Sequence, residues 1–250
     1  MLTKPLIKVQ PHSTAATHLN NSRRQFLKMS GLAVVGAGFL ISCSSDDDFS
    51  EPIDPDAELF DLGSGDLGIL NYAYALEQLE AAFYTSVMDG SYWMNANTEE
   101  KKILEDVYKH EVIHRDFFKA AITGAVSGDS KKILPELEFD FTSVDFSDRA
   151  SVLGTARVLE DTGVAAYNGA GKLLMTPTYL VIAGKIVSVE ARHAAAIRSI
   201  FLEDPKAFAG DDVVDENGLD LAKSPSEILT AVGQTGFVKT PFTANQLPQG

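Results

Sequence analysis

The sequence predicts an all-α domain: a four-helix bundle in which one long crossover joins the second helix to the third. Three observations carry this expectation. Four long stretches repeat apolar side chains at helical spacing. The breaks within each pair of stretches are short, whereas the break between the pairs is long and extended in character. Finally, the two pairs repeat one order of polar residues, Leu-Glu and then Tyr, followed by Glu-x-x-His.

The first predicted helix covers about 65–88, "GDLGILNYAYALEQLEAAFYTSVM", rich in Ala and Leu. Gly90 and the polar run 95–100 end it, and Asn97 or Thr98 is placed to cap a second helix that continues to about 126. Residues 127–147 contain Gly128, Asp129, Pro135 and the alternating "LEFDF", which suits an extended crossover. A third helix is expected over about 148–172. Thr176-Pro177 then supplies a cap and a proline at the first position of a fourth, ending near 203. The bundle therefore spans 65–203. Beyond it, 204–250 is rich in Gly and Asp, with one short helical segment near 225–232, and is expected to wrap the bundle.

The chemistry lies in "KHEVIHRDFFK", residues 109–119, where Glu111 and His114 stand three apart in a helical run. Residues at that interval are neighbours on one helix face, so both can point at one atom, beside Ile113 and Phe117, which are expected in the core. Helix four repeats the interval with Glu190 and His193. Helices one and three answer each other too: Glu77 lies seven residues before Tyr84, and Glu160 seven before Tyr167. Glu77 is 11 residues from the end of its helix and Glu111 is 13 from the start of the next, and the second half gives 12 and 13. At roughly 1.5 Å per residue, antiparallel neighbours bring all four motifs to one level.

One glutamate from each of two helices plus Glu-x-x-His from each of two others is the ligand set of ferritin-like di-iron and di-manganese carboxylate proteins. Over 65–203 the sequence resembles that superfamily. "LEQLEAAFY" and "LEDTGVAAYNGA" look more closely like the bacterial ferritin-like proteins related to desiccation-associated proteins. The resemblance implies a site for two iron or manganese ions, with Glu111 and Glu190 bridging, His114 and His193 capping one ion each, and Glu77 and Glu160 terminal. Two divalent ions would cancel the four negative charges that burial otherwise penalises. Oxygen-rich ligation with one imidazole per ion suits iron or manganese, although affinity alone lets zinc compete.

Glu80, one turn after Glu77, is a rival ligand, but its counterpart in the second half is Gly163, which coordinates nothing, so the internal symmetry favours Glu77 and leaves Glu80 beside the site. Tyr84 and Tyr167 are placed either to support the ligands by hydrogen bonds or electron supply, or to serve as core aromatics. His110, about 100° round the helix from Glu111, is expected at the surface. Trp93 is expected to anchor the first hairpin, and Asp116 and Asp161 to be solvated.

The chain's ends address it elsewhere. The first 42 residues hold five basic residues and no acid, then "SRRQFLK" and an apolar run over 31–41 too short to cross a bilayer, which takes roughly 20 residues. "SRRQFLK" resembles a twin-arginine signal, and "LISC", ending at Cys43, resembles a bacterial lipobox. A mitochondrial presequence would share the basic start but would not explain the only cysteine falling at the end of the apolar run. Residues 1–43 are therefore expected as an export signal with Cys43 as the lipidation site, and 44–64 as a disordered acidic tether whose acid near the cysteine resembles surface-export signals of some Bacteroidetes lipoproteins. Loss of the five basic residues takes the net charge from −14 to −19, which speaks against nucleic acid as a partner.

The expected protein is thus a cell-envelope lipoprotein, periplasmic or at the outer membrane, exported by the twin-arginine route, which carries folded and already metal-loaded chains. Its implied function is oxidation of Fe(II), or reaction with oxygen or peroxide in stress protection. The alternative is an envelope scaffold without catalysis. A storage shell ranks below both, since the anchor and the C-terminal segment would obstruct a closed cage, and the sequence leaves open whether the chain forms a homo-oligomer.

Overall fold

A computed structural model of the chain describes residues 59–202, 204 and 206–249. The expected export signal, Cys43 and the expected tether up to residue 58 lie outside the described residues. Among the described residues there are six α-helices: α1 Gly65–Asp89, α2 Ser91–Asn95, α3 Thr98–Ala125, α4 Arg149–Gly171, α5 Pro177–Leu202 and α6 Pro225–Thr235. None is long and apolar enough to cross a membrane. A two-stranded parallel sheet of β1, Phe60–Asp61, and β2, Phe242–Thr243, completes the regular structure. The fold is the expected all-α bundle of four long helices.

The long helices pack as two hairpins, α1 on α3 and α4 on α5. On α3 the inward stripe is Leu104, Val107, Glu111, His114, Phe118 and Ile122, a three-and-four spacing that keeps one face inside. This corrects the expectation for Ile113 and Phe117. They fall off that stripe and are 61% and 38% exposed, and Phe118 fills the core instead. Helix α1 is buried nearly all round because hairpin partner, crossover and C-terminal segment all cover it.

The crossover is held extended by two buried amides on α1, seven residues apart. Asn71 donates to the Lys132 carbonyl and accepts from the Leu134 amide, while Gln78 donates to the Pro135 carbonyl and accepts from the Leu137 amide. Short α2, not expected from the sequence, carries the half-buried Trp93 against the core, with the Lys101 ammonium 5.8 Å from the ring centre. The C-terminal segment wraps the bundle: Phe139 forms an antiparallel bridge with Val238, and Ile228, Val232 and Leu247 enter the core.

One boundary differs from the expected tether over 44–64. Its last residues, 59–64, are built into the fold. Phe60 pairs with Phe242, Leu62 is fully buried, and Leu62 donates its amide to the Thr243 carbonyl. The apolar Phe60 and Leu62 supply burial that the acidic residues before them cannot.

Candidate metal centre

Halfway along the bundle, six side chains from four helices converge. Glu77 comes from α1, Glu111 and His114 from α3, Glu160 from α4, and Glu190 and His193 from α5. All six are buried, and the four glutamates are fully so. They form two groups of potential ligands in which the donor atoms lie within 4.8 Å of one another. Glu77, Glu111, His114 and Glu190 make one, and Glu111, Glu160, Glu190 and His193 make the other. Glu111 and Glu190 are common to both.

Both imidazoles turn Nδ1 inward. His114 Nδ1 lies 2.8 Å from Glu190 Oε1, 3.5 Å from Glu77 Oε2 and 3.7 Å from Glu111 Oε2. His193 Nδ1 lies 2.8 Å from Glu111 Oε1, 3.2 Å from Glu190 Oε2 and 3.5 Å from Glu160 Oε2. Despite this closeness, Glu77 Oε2, both oxygens of Glu111, His114 Nδ1, Glu160 Oε2 and Glu190 Oε1 have no properly directed hydrogen bond. Such buried orphan atoms are rare and call for an explanation. Here their lone pairs converge on shared points, the arrangement a cation satisfies and hydrogen bonds between the ligands do not. The donor set therefore fits a metal centre.

The surroundings fix the ligands. Tyr84 of α1 donates to Glu160 Oε1 at 2.5 Å, and Tyr167 of α4 donates to Glu77 Oε1, so each half of the chain holds the other half's glutamate. Of the two roles weighed for these tyrosines, the hydrogen-bonding one matches the geometry. His110 is exposed at the helix surface, as expected, yet it stacks on His193, with its Nδ1 2.8 Å from His193 Nε2. With His193 Nδ1 turned to the carboxylates, Nε2–H donates outward and His110 accepts, which sets the ring's tautomer and tilt. The contact spans 83 residues of sequence, so angular distance from Glu111 on one helix could not reveal it.

Glu80 stays outside both groups but is buried beside them, with its Oε2 unpaired. Gly163 is the reason it fits: a Cβ there would come within 3.0 Å of Glu80 Oε1. The residue that breaks the internal symmetry thus makes room for the extra carboxyl. Asp161 is also corrected. It is half-buried and pairs at 2.7 Å with Arg198, which is almost wholly buried and reaches on to Asp212 and the Ala207 carbonyl. Asp116 is exposed beside Arg115, as expected.

Without a cation the cluster balances itself with protons. Burial pushes the Glu77 and Glu80 carboxyls well above the carboxylate range and Glu160 up to about 8. Burial also opposes ionisation of Glu111, but the closely facing His114 and His193 rings override it and bring that carboxyl down to about 2. Burial likewise works against charge on the imidazoles, yet Glu111, Glu190 and Glu77 raise His114 to about 12, and Glu111, Glu160 and Glu190 raise His193 further. Partial burial and the positive charge on His193 hold His110 below the ordinary imidazole value. Two imidazolium ions thus stand in for cations among the carboxyls.

A search of curated proteins returned no match. A family model for the ferritin-like domain matches residues 65–203, from the start of α1 to the end of α5. The chain belongs to the ferritin-like domain family.

Proposed function

We propose that this chain holds two iron or manganese ions and uses them in oxidation, either of Fe(II) or with oxygen or peroxide as the reacting partner. The supporting observation is the convergence of buried, undirected donor atoms from four helices into two groups that share Glu111 and Glu190. In this reading Glu77 and His114 hold one ion, Glu160 and His193 hold the other, and the shared glutamates bridge. Bound there, the ions would supply the electron transfer that no side chain of the cluster offers. The protein's own part is to position and insulate. Tyr84 and Tyr167 hold the terminal carboxylates, His110 aims His193, and the packed helices keep bulk water from the ligands.

The export route and the lipid anchor at Cys43 belong to the same proposal, resting on the sequence of residues 22–43. They place the activity in the envelope and suit a role in oxidative or desiccation stress. The scaffold reading draws on one observation, the exposure of Phe208, Leu219 and Leu221 in the C-terminal segment, a surface on which an envelope partner could pack.

Metal analysis separates the two. Full-length chain loaded anaerobically with Fe(II) or Mn(II) should carry about two ions. Glu111→Ala and Glu190→Ala should each abolish binding, while Glu80→Ala largely spares it. A folded chain that takes up no metal favours the scaffold. Loss of metal in Glu80→Ala with retention in Glu77→Ala would overturn the ligand assignment. Consumption of oxygen or peroxide by the loaded protein then tests the oxidative step.

A further inference from the structure

Helices α3 and α5 stand side by side along one wall of the bundle, His110 of the first touching His193 of the second. On α3, Asp106, His110, Ile113 and Phe117 follow a four-three-four spacing, so they share one face, and all four are exposed. On α5 the same spacing joins Val181, Lys185, Ser188 and Arg192, again all exposed. Both stripes belong to this wall. Phe117 borders Ile182 and Ala183 of α5, whereas Leu180 turns the other way, towards Gly171 of α4, and leaves Val181 on the α3 side.

The two helices run antiparallel. Asp66, in the first turn of α1, accepts from the amides just before α5, so α1 and α5 start at one end, and α3 returns from the other. Glu111 and Glu190 belong to both ligand groups and therefore lie level. Counted from them, Ile113 is level with Ser188, and Asp106 lies three residues beyond Arg192, about 4.5 Å along the axis.

The wall is apolar towards one end and charged towards the other. Ile113 and Val181 are 61% and 60% exposed and lie beside the 38% exposed Phe117, a grouping that marks an interaction surface where single exposed apolar residues do not. At the other end Asp106 has no ion pair among the described residues, and Arg192 reaches Ser188 of its own helix. Over 112–125 of α3 and 177–189 of α5 the single acid is Asp116, which Arg115 holds. On a chain of net charge −14 this is a place where two copies can meet without repulsion.

We propose that two copies of this chain pair through the α3–α5 wall, about a two-fold axis parallel to the helices. Such an axis lays α3 of each copy on α5 of the other at the same level. Ile113 and Phe117 then meet Val181 and the small Ser188 of the second copy, and Asp106 meets Arg192. Each contact occurs twice, as a self-complementary interface requires. Two helices of 26 and 28 residues, each roughly 10 Å across and about 40 Å long, offer roughly 800 Å², the share of one partner in an interface of standard size. A different partner would have to carry the matching apolar stripe and the reversed charges, both of which this chain already presents. The second copy also covers the open side of the His110–His193 pair. None of the side chains that make the contact is a candidate metal ligand, so the inference stands apart from the oxidative reading.

Sedimentation velocity of the full-length chain over a range of concentrations should show a dimer. Ile113→Glu, at an exposed position, should leave a folded monomer by circular dichroism and sedimentation. Asp106→Arg and Arg192→Asp should each weaken pairing by about tenfold or more, because like charges then face each other at both contacts. An equimolar mixture of these two variants should recover the dimer, since every changed side chain meets its opposite charge. A wild-type chain that stays monomeric at millimolar concentration overturns the inference. A dimer untouched by Ile113→Glu, or a mixture of the charge variants that pairs no better than either alone, does so too. Metal content of the same preparations keeps the readings apart: a dimer that takes up no metal upholds the pairing and removes the oxidative reading, and a metal-loaded monomer does the reverse.

Discussion

At the scale of single residues, the centre is held by side chains whose partners lie far away in sequence. His110 is the plainest case, because its one polar task is to accept from His193. Outer partners of metal-binding histidines typically carry a 10–100-fold share of affinity. His110→Ala should therefore weaken Mn(II) binding by about one to two orders of magnitude in a competition titration, without changing the number of ions bound at saturation. Gly163 is the second case. Adding a methyl group places a carbon 3.0 Å from Glu80 Oε1 in a packed interior, and overpacking of this kind costs about 1–3 kcal/mol. Gly163→Ala should lower the urea midpoint accordingly. If Glu80→Ala is added, most of that loss should be recovered, because the carboxyl that the methyl group meets is gone.

At the scale of elements, the helices start where capping chemistry dictates. Asn97 accepts from the amides of Glu99 and Glu100, both at 2.9 Å, and so decides between the two caps that the sequence offered for α3. Asp148 does the same for α4 through the Ser151 amide, and Ser224 with Glu227 forms a reciprocal capping box at α6. Asn97→Ala should cost about 1 kcal/mol in urea denaturation. Its distance along α3 from Glu111 means that metal stoichiometry should not move. The hairpins are also tied at their other end: Asp66, in the first turn of α1, accepts from the amides of Met175 and Thr176 just before α5. This contact helps set α1 and α5 in register, on which the convergence of Glu77 and Glu190 depends.

At the scale of the whole molecule, the centre makes stability depend on pH and on metal together. In the metal-free chain Glu160 keeps its proton up to about 8, whereas the unfolded chain releases it near the ordinary value of 4.5. The folded state then binds more protons than the unfolded one, so stability falls as pH rises between those values. His114 acts in the same direction: its contribution is complete below the ordinary 6.5 and is lost as pH climbs towards about 12. Glu111, brought down to about 2, acts oppositely and only in acid, where its contribution is lost as pH drops below 4.5. Metal-free protein should accordingly have a lower melting temperature at pH 8 than at pH 5. Metal binding requires these protons to leave, so the gain in melting temperature on adding Mn(II) should be larger at pH 8 than at pH 5, with proton release measurable at fixed pH. A metal-free melting temperature that rises over this range would contradict the cluster's protonation as described.

What the sequence alone determined is the part written in local periods. Helical spacing marked the four long helices, the Gly- and Pro-bearing stretch marked the crossover, and a double Glu-x-x-His with its two leading glutamates marked six side chains that the structure brings together. These signals survive in one dimension because residues three, four or seven apart share a helix face whatever the helix packs against. Tertiary structure alone decided how the remaining polar residues are used. It set His110 against His193, crossed Tyr84 and Tyr167 between the two halves, paired Asp161 with the buried Arg198, and gave Glu80 the space left by Gly163. It also folded 59–64 onto β2 at the far end of the chain. Each of these depends on a partner on another helix or segment, and local periodicity carries no information about which faces of distant elements will meet.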